Sequence, residues 1–232
     1  MNNWLKTGGF LAAITVAFAI YGYWWPSFQN MEEIPPVLAL LDPQSFQKDL
    51  FVQDRLGFGP RYLYLHAVFS LITCGLSVPQ SWFVLYVASF CSFVLAQFAL
   101  ARSLGCGWLG GGILAGLCLF APQASLGAAY LFRPESLPFV LAMAFTSWGV
   151  VFVFREKWAP AYLFFGAASL LQLLIGVLPG LFFLPILLLD TRAKHHAKTA
   201  LVSIASFSTL VALSILPMIA LGKLETASLN SE

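Results

Sequence analysis

Two adjacent acids, Glu32 and Glu33, are the first residues in the chain whose types and spacing suggest chemistry. They follow Trp25, the last aromatic of a long apolar stretch, by seven and eight residues. A carboxylate pair at the mouth of a membrane cavity can act as a general base, because partial burial and a like-charged neighbour tune its proton affinity. Glu33 could instead hold a divalent cation, Mg²⁺ or Mn²⁺, through its oxygens. The alternative is an acidic loop that faces water.

Arg61 and His66 stand at the entry of the second apolar stretch. Arg61 follows a Gly-Pro turn, where its guanidinium could bind a phosphate or simply reach the lipid headgroups. His66 lies about one turn deeper, where a titratable side chain is costly unless it faces the protein interior. That position fits a histidine that takes part in the function, and it equally fits a core histidine whose ring nitrogens are hydrogen-bonded.

Arg133-Pro134-Glu135 interrupts an otherwise apolar region with two opposite charges on either side of a proline. A helix that begins near Pro134 would point its N-terminus at whatever this loop faces, which favours an anion. The alternative is an Arg–Glu pair on a surface turn, which would contribute little. We expect Arg133 and Glu135 to belong to a substrate-binding site.

The remaining polar residues suggest structural roles. Asp42 is expected to cap a helix, and Gln172 to hydrogen-bond a neighbouring helix at membrane depth. The four cysteines lie in or beside apolar segments without a CxxC pair, so we expect them to be small buried hydrophobic residues.

Composition determines which elements must position these residues. Of the 232 residues, 59% are hydrophobic and 9% are charged, and the mean hydropathy is +0.83. Soluble domains carry about 25% charged residues, so the composition indicates an integral membrane protein. The basic residues are scattered and form no run with interleaved aromatics, which excludes nucleic-acid binding.

The apolar stretches are continuous, which favours spanning helices over a barrel. We predict an all-α, polytopic bundle of about eight spans in one integral membrane domain. It consists of a first span 8–25, an acidic outer loop 27–61, a helix bundle 62–221 and a polar tail 222–232. The further spans are predicted at 62–78, 80–101, 107–120, 136–154, 159–174, 176–190 and 199–221.

Shorter helices are expected between the spans. Pro36–Leu41 and Phe46–Val52 are predicted to be amphipathic helices in the membrane plane, each opened by a proline. The connectors Phe154–Pro160 and Asp190–Lys198 are dense in Lys and Arg, so they are expected in the cytoplasm and the acidic loop outside. With these spans, both basic connectors lie on the cytoplasmic side only if a partial helix at 124–132 crosses back, at least partway.

Three segments together resemble the amino-terminal module of the GT-C superfamily of polytopic glycosyltransferases: EEIPPVLALLDPQSFQKDLFVQ, ARSLGCGWLGGGILAGLCLFAPQ and YLFRPESLPFVLAMAF. The resemblance implies a polyprenyl-phosphate-linked sugar as donor. It also implies that an acid of the first outer loop, Glu32 or Glu33, deprotonates the acceptor hydroxyl, with inversion at the sugar carbon. Arg61 and Arg133 would bind the donor phosphate, while Glu135 would assist a cation or the acceptor.

Two other functions stay open at this point. One is a non-catalytic scaffold or accessory subunit that works with a partner membrane subunit, and the other is a transporter or flippase of an amphiphilic substrate. The sequence contains no N-x-S/T sequon, and we expect the protein in a bacterial inner membrane rather than in the endoplasmic reticulum.

Overall fold

The computed structural model describes residues 23, 25, 28–56, 62–120, 138–189 and 197–229. These residues form nine α-helices and no strand, which confirms the all-α prediction. In chain order the helices are α1 (Phe28–Leu41), α2 (Leu50–Leu56), α3 (Tyr62–Thr73), α4 (Val78–Ser103), α5 (Trp108–Phe120), α6 (Pro138–Phe154), α7 (Trp158–Leu171), α8 (Leu173–Leu189) and α9 (Ala197–Leu229).

Among the described helices, two are long and apolar enough to cross a membrane: Val78–Ser103, which is α4, and the Lys198–Leu216 part of α9. Helices α3 and α5 to α8 are apolar but shorter. The arrangement of eight spans therefore stays a prediction. The first span 8–25 lies outside the described residues except for Tyr23 and Trp25, and the partial helix at 124–132 lies wholly outside them.

Helices α4 and α6 run parallel: three side-chain hydrogen bonds join them, two between the middle parts of the helices and one between their C-terminal ends. Trp148 Nε1 donates to Ser92 Oγ at 3.0 Å, and Gln97 Nε2 donates to Ser147 Oγ at 3.0 Å. Near their C-terminal ends, Arg155 Nε donates to Ser103 Oγ at 3.1 Å. The predicted topology made residues 80–101 and 136–154 antiparallel, and that prediction is wrong.

Helix α5 returns alongside α4, which explains how two parallel helices follow each other in the chain. The Phe98 ring of α4 contacts the Trp108 ring at the start of α5, with centroids 5.2 Å apart. Gly111 lies against the same Phe98 ring. Because α5 runs back along α4, the directions of α4, α5 and α6 alternate.

Helices α6, α7 and α8 form two consecutive antiparallel hairpins in which glycines let the helices approach closely. Gly149 of α6 faces the Phe165 ring, and Gly176 of α8 faces the backbone of Phe165 and Ser169 in α7, where no Cβ would fit. A single residue, Gln172, separates α7 from α8. Residues 159–174 therefore do not form one continuous helix as predicted, because the extended backbone of Gln172 makes the reversal between α7 and α8.

Helix α9 packs along α7 in the same direction. Tyr162 meets the Phe207 ring at 5.5 Å, Gly166 faces Leu210, and Ser214 Oγ donates to the Ser169 carbonyl oxygen at 3.1 Å. The helix extends to Leu229, so the predicted polar tail 222–232 is helical over most of its length.

Three turns between helices share one hydrogen-bond pattern. After α6, the Glu156 N–H donates to Val153 O at 2.8 Å and the Lys157 N–H donates to Phe152 O at 2.9 Å. This is the Schellman pattern, whose left-handed position usually holds glycine. Gly75 (φ +100°) and Gly105 (φ +84°) fill it after α3 and α4, whereas after α6 it is Glu156, at φ 57°.

Helices α1 to α3 form a layer over the end of the bundle where α4 begins. Val37 of α1 and Tyr64, Leu65 and Val68 of α3 share one buried cluster with Trp82 of α4. Helix α3, with 12 residues, rises only about 18 Å and its buried residues all lie in this cluster. Helix α3 is thus shorter than the predicted span 62–78, which stays a prediction.

Several predicted details of this layer are wrong. Helix α1 begins at Phe28 and continues through Pro35 and Pro36, because packing of its buried face outweighs the two lost backbone hydrogen bonds. The second helix is Leu50–Leu56 rather than Phe46–Val52. Its cap is Asp49, whose Oδ1 accepts from the Val52 N–H at 3.2 Å, whereas Asp42 stabilises the turn after α1.

Candidate functional site

Glu33 lies on the buried face of α1, with 3% of its surface exposed. Val37, one helical turn later, is 0% exposed and belongs to the cluster with Trp82 and Tyr64. A carboxylate is buried in a stable fold only where it is paired or hydrogen-bonded, because its desolvation is costly. Glu32 is half-buried. Of the two acids, burial therefore selects Glu33 as the candidate functional residue.

Aromatic side chains surround this end of the bundle. The Trp25 and Trp82 rings lie 5.5 Å apart, and the Tyr23 ring lies 5.2 Å from Phe83 and 4.9 Å from Tyr86. Trp82 and Tyr86 are 0% exposed. Tyr23 and Trp25, at the end of the first apolar stretch, therefore pack inward against α4.

Two buried polar atoms of this aromatic group have no hydrogen-bond partner in the described part of the chain: Trp82 Nε1 and Tyr23 Oη. Buried indole and phenol groups usually find a partner, since an unsatisfied donor costs about 1–3 kcal/mol. Together they provide hydrogen-bonding capacity that a bound ligand could use.

The start of α4 is fixed by its own sequence, which places Trp82. Ser77 Oγ accepts from the Gln80 N–H at 3.4 Å, and Gln80 Oε1 accepts from the Ser77 N–H at 2.9 Å, so the two form a capping box. Pro79 occupies the first turn, where its missing N–H costs nothing. Trp82 therefore sits one turn inside a rigid helix start.

His66 lies on α3, the helix that packs against α1. It is half-buried, and its ring meets the Phe69 ring edge-on at 6.3 Å. The structure thus brings Glu33 and His66 to the same end of the bundle on two contacting helices. The other predicted substrate-binding residues, Arg61, Arg133 and Glu135, lie outside the described residues.

Sequence reasoning missed the aromatic members of the site on α3 and α4, Tyr64, Trp82 and Tyr86. The signal that could have found Trp82 was the capping-box pattern Ser77 to Gln80, because it fixes where α4 begins. The four-residue spacing of Trp82 and Tyr86 then places both on one helix face.

The described residues contain no group of three or more His, Cys, Asp or Glu side chains that could hold a metal ion. Glu33 alone does not provide the oxygen ligand set that Mg²⁺ or Mn²⁺ requires. The predicted cation therefore stays a prediction.

Charge is segregated between the two ends of the bundle. The acidic end, where α1 to α3 lie and α4 begins, carries Glu32, Glu33, Asp42, Lys48 and Asp49. The basic end, formed by the C-terminal ends of α4, α6 and α8 and the start of α9, carries Arg102, Arg155, Glu156, Lys157 and Lys198. At the acidic end, hydrogen bonds from the Ser45 hydroxyl and the Gln44 N–H lower the pKa of Asp42.

These elements can together recognise a polyhydroxylated ligand. Aromatic faces carry negative charge density that attracts the C–H bonds of a sugar ring, while indole N–H and phenol O–H groups bond hydroxyls. A buried carboxylate beside them can accept a proton from a bound hydroxyl. No family model matches the chain, and neither a curated protein nor a solved structure matches it.

Proposed function

We propose that this protein is a multi-pass membrane glycosyltransferase-like protein that transfers a sugar from a polyprenyl-phosphate-linked donor to an acceptor hydroxyl. The observation that carries the proposal is Glu33, a carboxylate 3% exposed on the helix face that packs beside Trp82 and Tyr64. Carboxylate, aromatic faces and unsatisfied N–H and O–H groups at one end of an apolar bundle suit a sugar attached to a lipid.

In the proposed reaction, the acceptor oxygen attacks the anomeric carbon of the donor. The bond between that carbon and the phosphate oxygen breaks, and the polyprenyl phosphate leaves with the electron pair. Glu33 takes the proton of the acceptor hydroxyl as the new bond forms. Attack opposite to the leaving phosphate inverts the configuration at the sugar carbon.

The test is Glu33→Gln in the full chain reconstituted in nanodiscs, with a panel of radiolabelled polyprenyl-phosphate sugars. General-base catalysis contributes about 10²–10⁴-fold, so we expect the transfer rate to fall by at least about 10²-fold. Glu32→Gln is the matched control, because Glu32 is adjacent but only half-buried, and its rate should change by less than about threefold.

Retention of the full transfer rate by both single variants and the double variant would refute the catalytic role. Wild-type protein that neither transfers nor binds any donor of the panel would favour a scaffold or accessory subunit. That second function is supported by α9, because only 17% of its apolar stretch within Lys198–Leu216 is buried inside the protein. Its exposed apolar face could contact a partner membrane subunit.

We further propose that the acidic end faces the outside of a bacterial inner membrane and the basic end the cytoplasm. The split of the described charges supports this orientation, because cytoplasmic ends carry an excess of Lys and Arg. Two exposed cysteines provide a test: Cys74 lies in the turn before α4, at the acidic end, and Cys106 in the turn after it, at the basic end. Their prediction as buried residues is wrong.

Single-cysteine variants that keep Cys74 or Cys106 should differ in labelling by a membrane-impermeant maleimide. We expect Cys74 to react in intact cells and Cys106 to react only after the membrane is permeabilised. The orientation that the sequence predicted for residues 80–101 gives the opposite pattern. Labelling of both residues from the same side would contradict a membrane crossing by α4.

A further inference from the structure

An apolar groove of about 650 Å³ opens at the basic end, between the α6–α7 turn and the last turns of α8. Its lining consists of six apolar side chains and one carboxylate: Val153, Phe154, Glu156, Trp158, Phe183, Ile186 and Leu189. The volume falls in the range of about 300–1,000 Å³ that is typical of small-ligand sites. The groove is therefore large enough for part of one lipid chain.

The turn between α6 and α7, which borders this groove, carries a net positive charge. Arg155 and Lys157 flank Glu156 in the chain, and both are exposed. Lys157 directly precedes Trp158, a lining residue that is 9% exposed. Lys198 adds a further positive charge at the start of α9, at the same end. An apolar groove bordered by a basic turn is complementary to an anionic amphiphile.

The single acid in the groove occupies a strained position. Glu156 has φ 57° where the two corresponding turns use glycine. A non-glycine residue in this conformation is strained, and such strain often persists at sites where the side chain has a function. A carboxylate can accept about four hydrogen bonds, so Glu156 can accept one from a headgroup hydroxyl in addition to its contacts within the protein.

We propose that this groove binds one phosphatidylglycerol molecule from the leaflet at the basic end. One acyl chain lies against Trp158, Phe183 and Ile186, the phosphate is next to Lys157, and a glycerol hydroxyl donates to Glu156. The proposal rests on the membrane location in the proposed function but not on glycosyl transfer.

The test is native mass spectrometry of the full chain in detergent, titrated with phosphatidylglycerol or with phosphatidylcholine of the same acyl chains. We expect at least fivefold tighter binding of phosphatidylglycerol. Lys157→Gln should weaken that binding about fivefold, because one Lys near an anionic headgroup contributes about 1 kcal/mol. Lys48→Gln, which removes an exposed lysine at the opposite end, is the matched control and should leave the binding unchanged.

A second variant tests the groove without any change of charge. Ile186 is 49% exposed, so Ile186→Trp should fold normally while its indole fills the groove and reduces lipid binding at least fivefold. Equal binding of the two lipids would overturn the proposal, as would equal effects of Lys157→Gln and Lys48→Gln, or unchanged binding by Ile186→Trp. Loss of transfer in Glu33→Gln with intact lipid binding would separate the two sites.

Discussion

Replacing Glu156 with glycine should stabilise the protein, although it removes a charged side chain. Glu156 has φ 57° in the Schellman turn after α6, and relief of this strain is worth about 1–2 kcal/mol. Glycine also gives the unfolded chain more conformational freedom, which offsets about 0.4–1 kcal/mol of that gain. The difference predicts a net increase of about 0.5–1 kcal/mol in the free energy of unfolding, which can be measured by SDS titration in mixed micelles with helical circular dichroism.

Two further variants separate the backbone effect from the charge. Glu156→Ala removes the carboxylate but keeps the strain, so its unfolding free energy should stay within about 0.5 kcal/mol of wild type. Gly105→Ala makes the reverse change in the same turn type, at φ +84° with open space around the Cβ position, and should lose about 0.5–1 kcal/mol. If Glu156→Gly were no more stable than Glu156→Ala, strain would not be the cause.

Three more results are expected, the first two from the same unfolding measurement. Gly176→Ala should lower the free energy of unfolding by about 1–3 kcal/mol, because the new Cβ meets the α7 backbone. Gly116→Ala, with open space around its Cβ position, should raise it by up to about 1 kcal/mol. Equal effects of the two variants would contradict the contact of Gly176 with α7. Gln97→Leu removes an interhelical hydrogen bond and should cost about 0.6 kcal/mol; a loss above about 2 kcal/mol would refute this value. The lowered pKa of Asp42 stabilises the turn above pH 3.8, so the protection factor of the Gln44 amide hydrogen against exchange should fall as the pH drops below 3.8. An unchanged protection factor would contradict the role of that carboxylate.

The sequence predicted the individual bundle helices closely. The spans expected at 107–120 and 136–154 correspond to Trp108–Phe120 and Pro138–Phe154. Each is a continuous apolar run between glycine-rich or charged turns, and hydropathy alone locates such runs. Hydropathy carries no information on the direction of a helix. The parallel pair of α4 and α6 therefore depended on contacts such as Gln97 to Ser147, which no local pattern reveals.

The site was predicted in part. The acidic pair was noticed because two carboxylates stand beside an apolar stretch, but composition could not tell which of them is buried. Helical spacing does not separate them either, because Pro36 and Val37, which lie four residues after Glu32 and Glu33, are both buried. The prediction placed both acids in a loop before a helix that begins at Pro36. The structure continues α1 back to Phe28, so both acids lie on this helix.

A buried carboxylate occurs at the acidic end because one face of α1 packs against the bundle there. Val37 of α1 shares one buried cluster with Trp82 of α4 and with Leu171 at the end of α7. The Trp25 ring contacts Trp82 and the Tyr23 ring contacts Tyr86, and both α4 residues are 0% exposed. Glu33 lies one helical turn before Val37, on the same face of α1. The burial of Glu33 therefore follows from the packing that holds Val37 in this cluster.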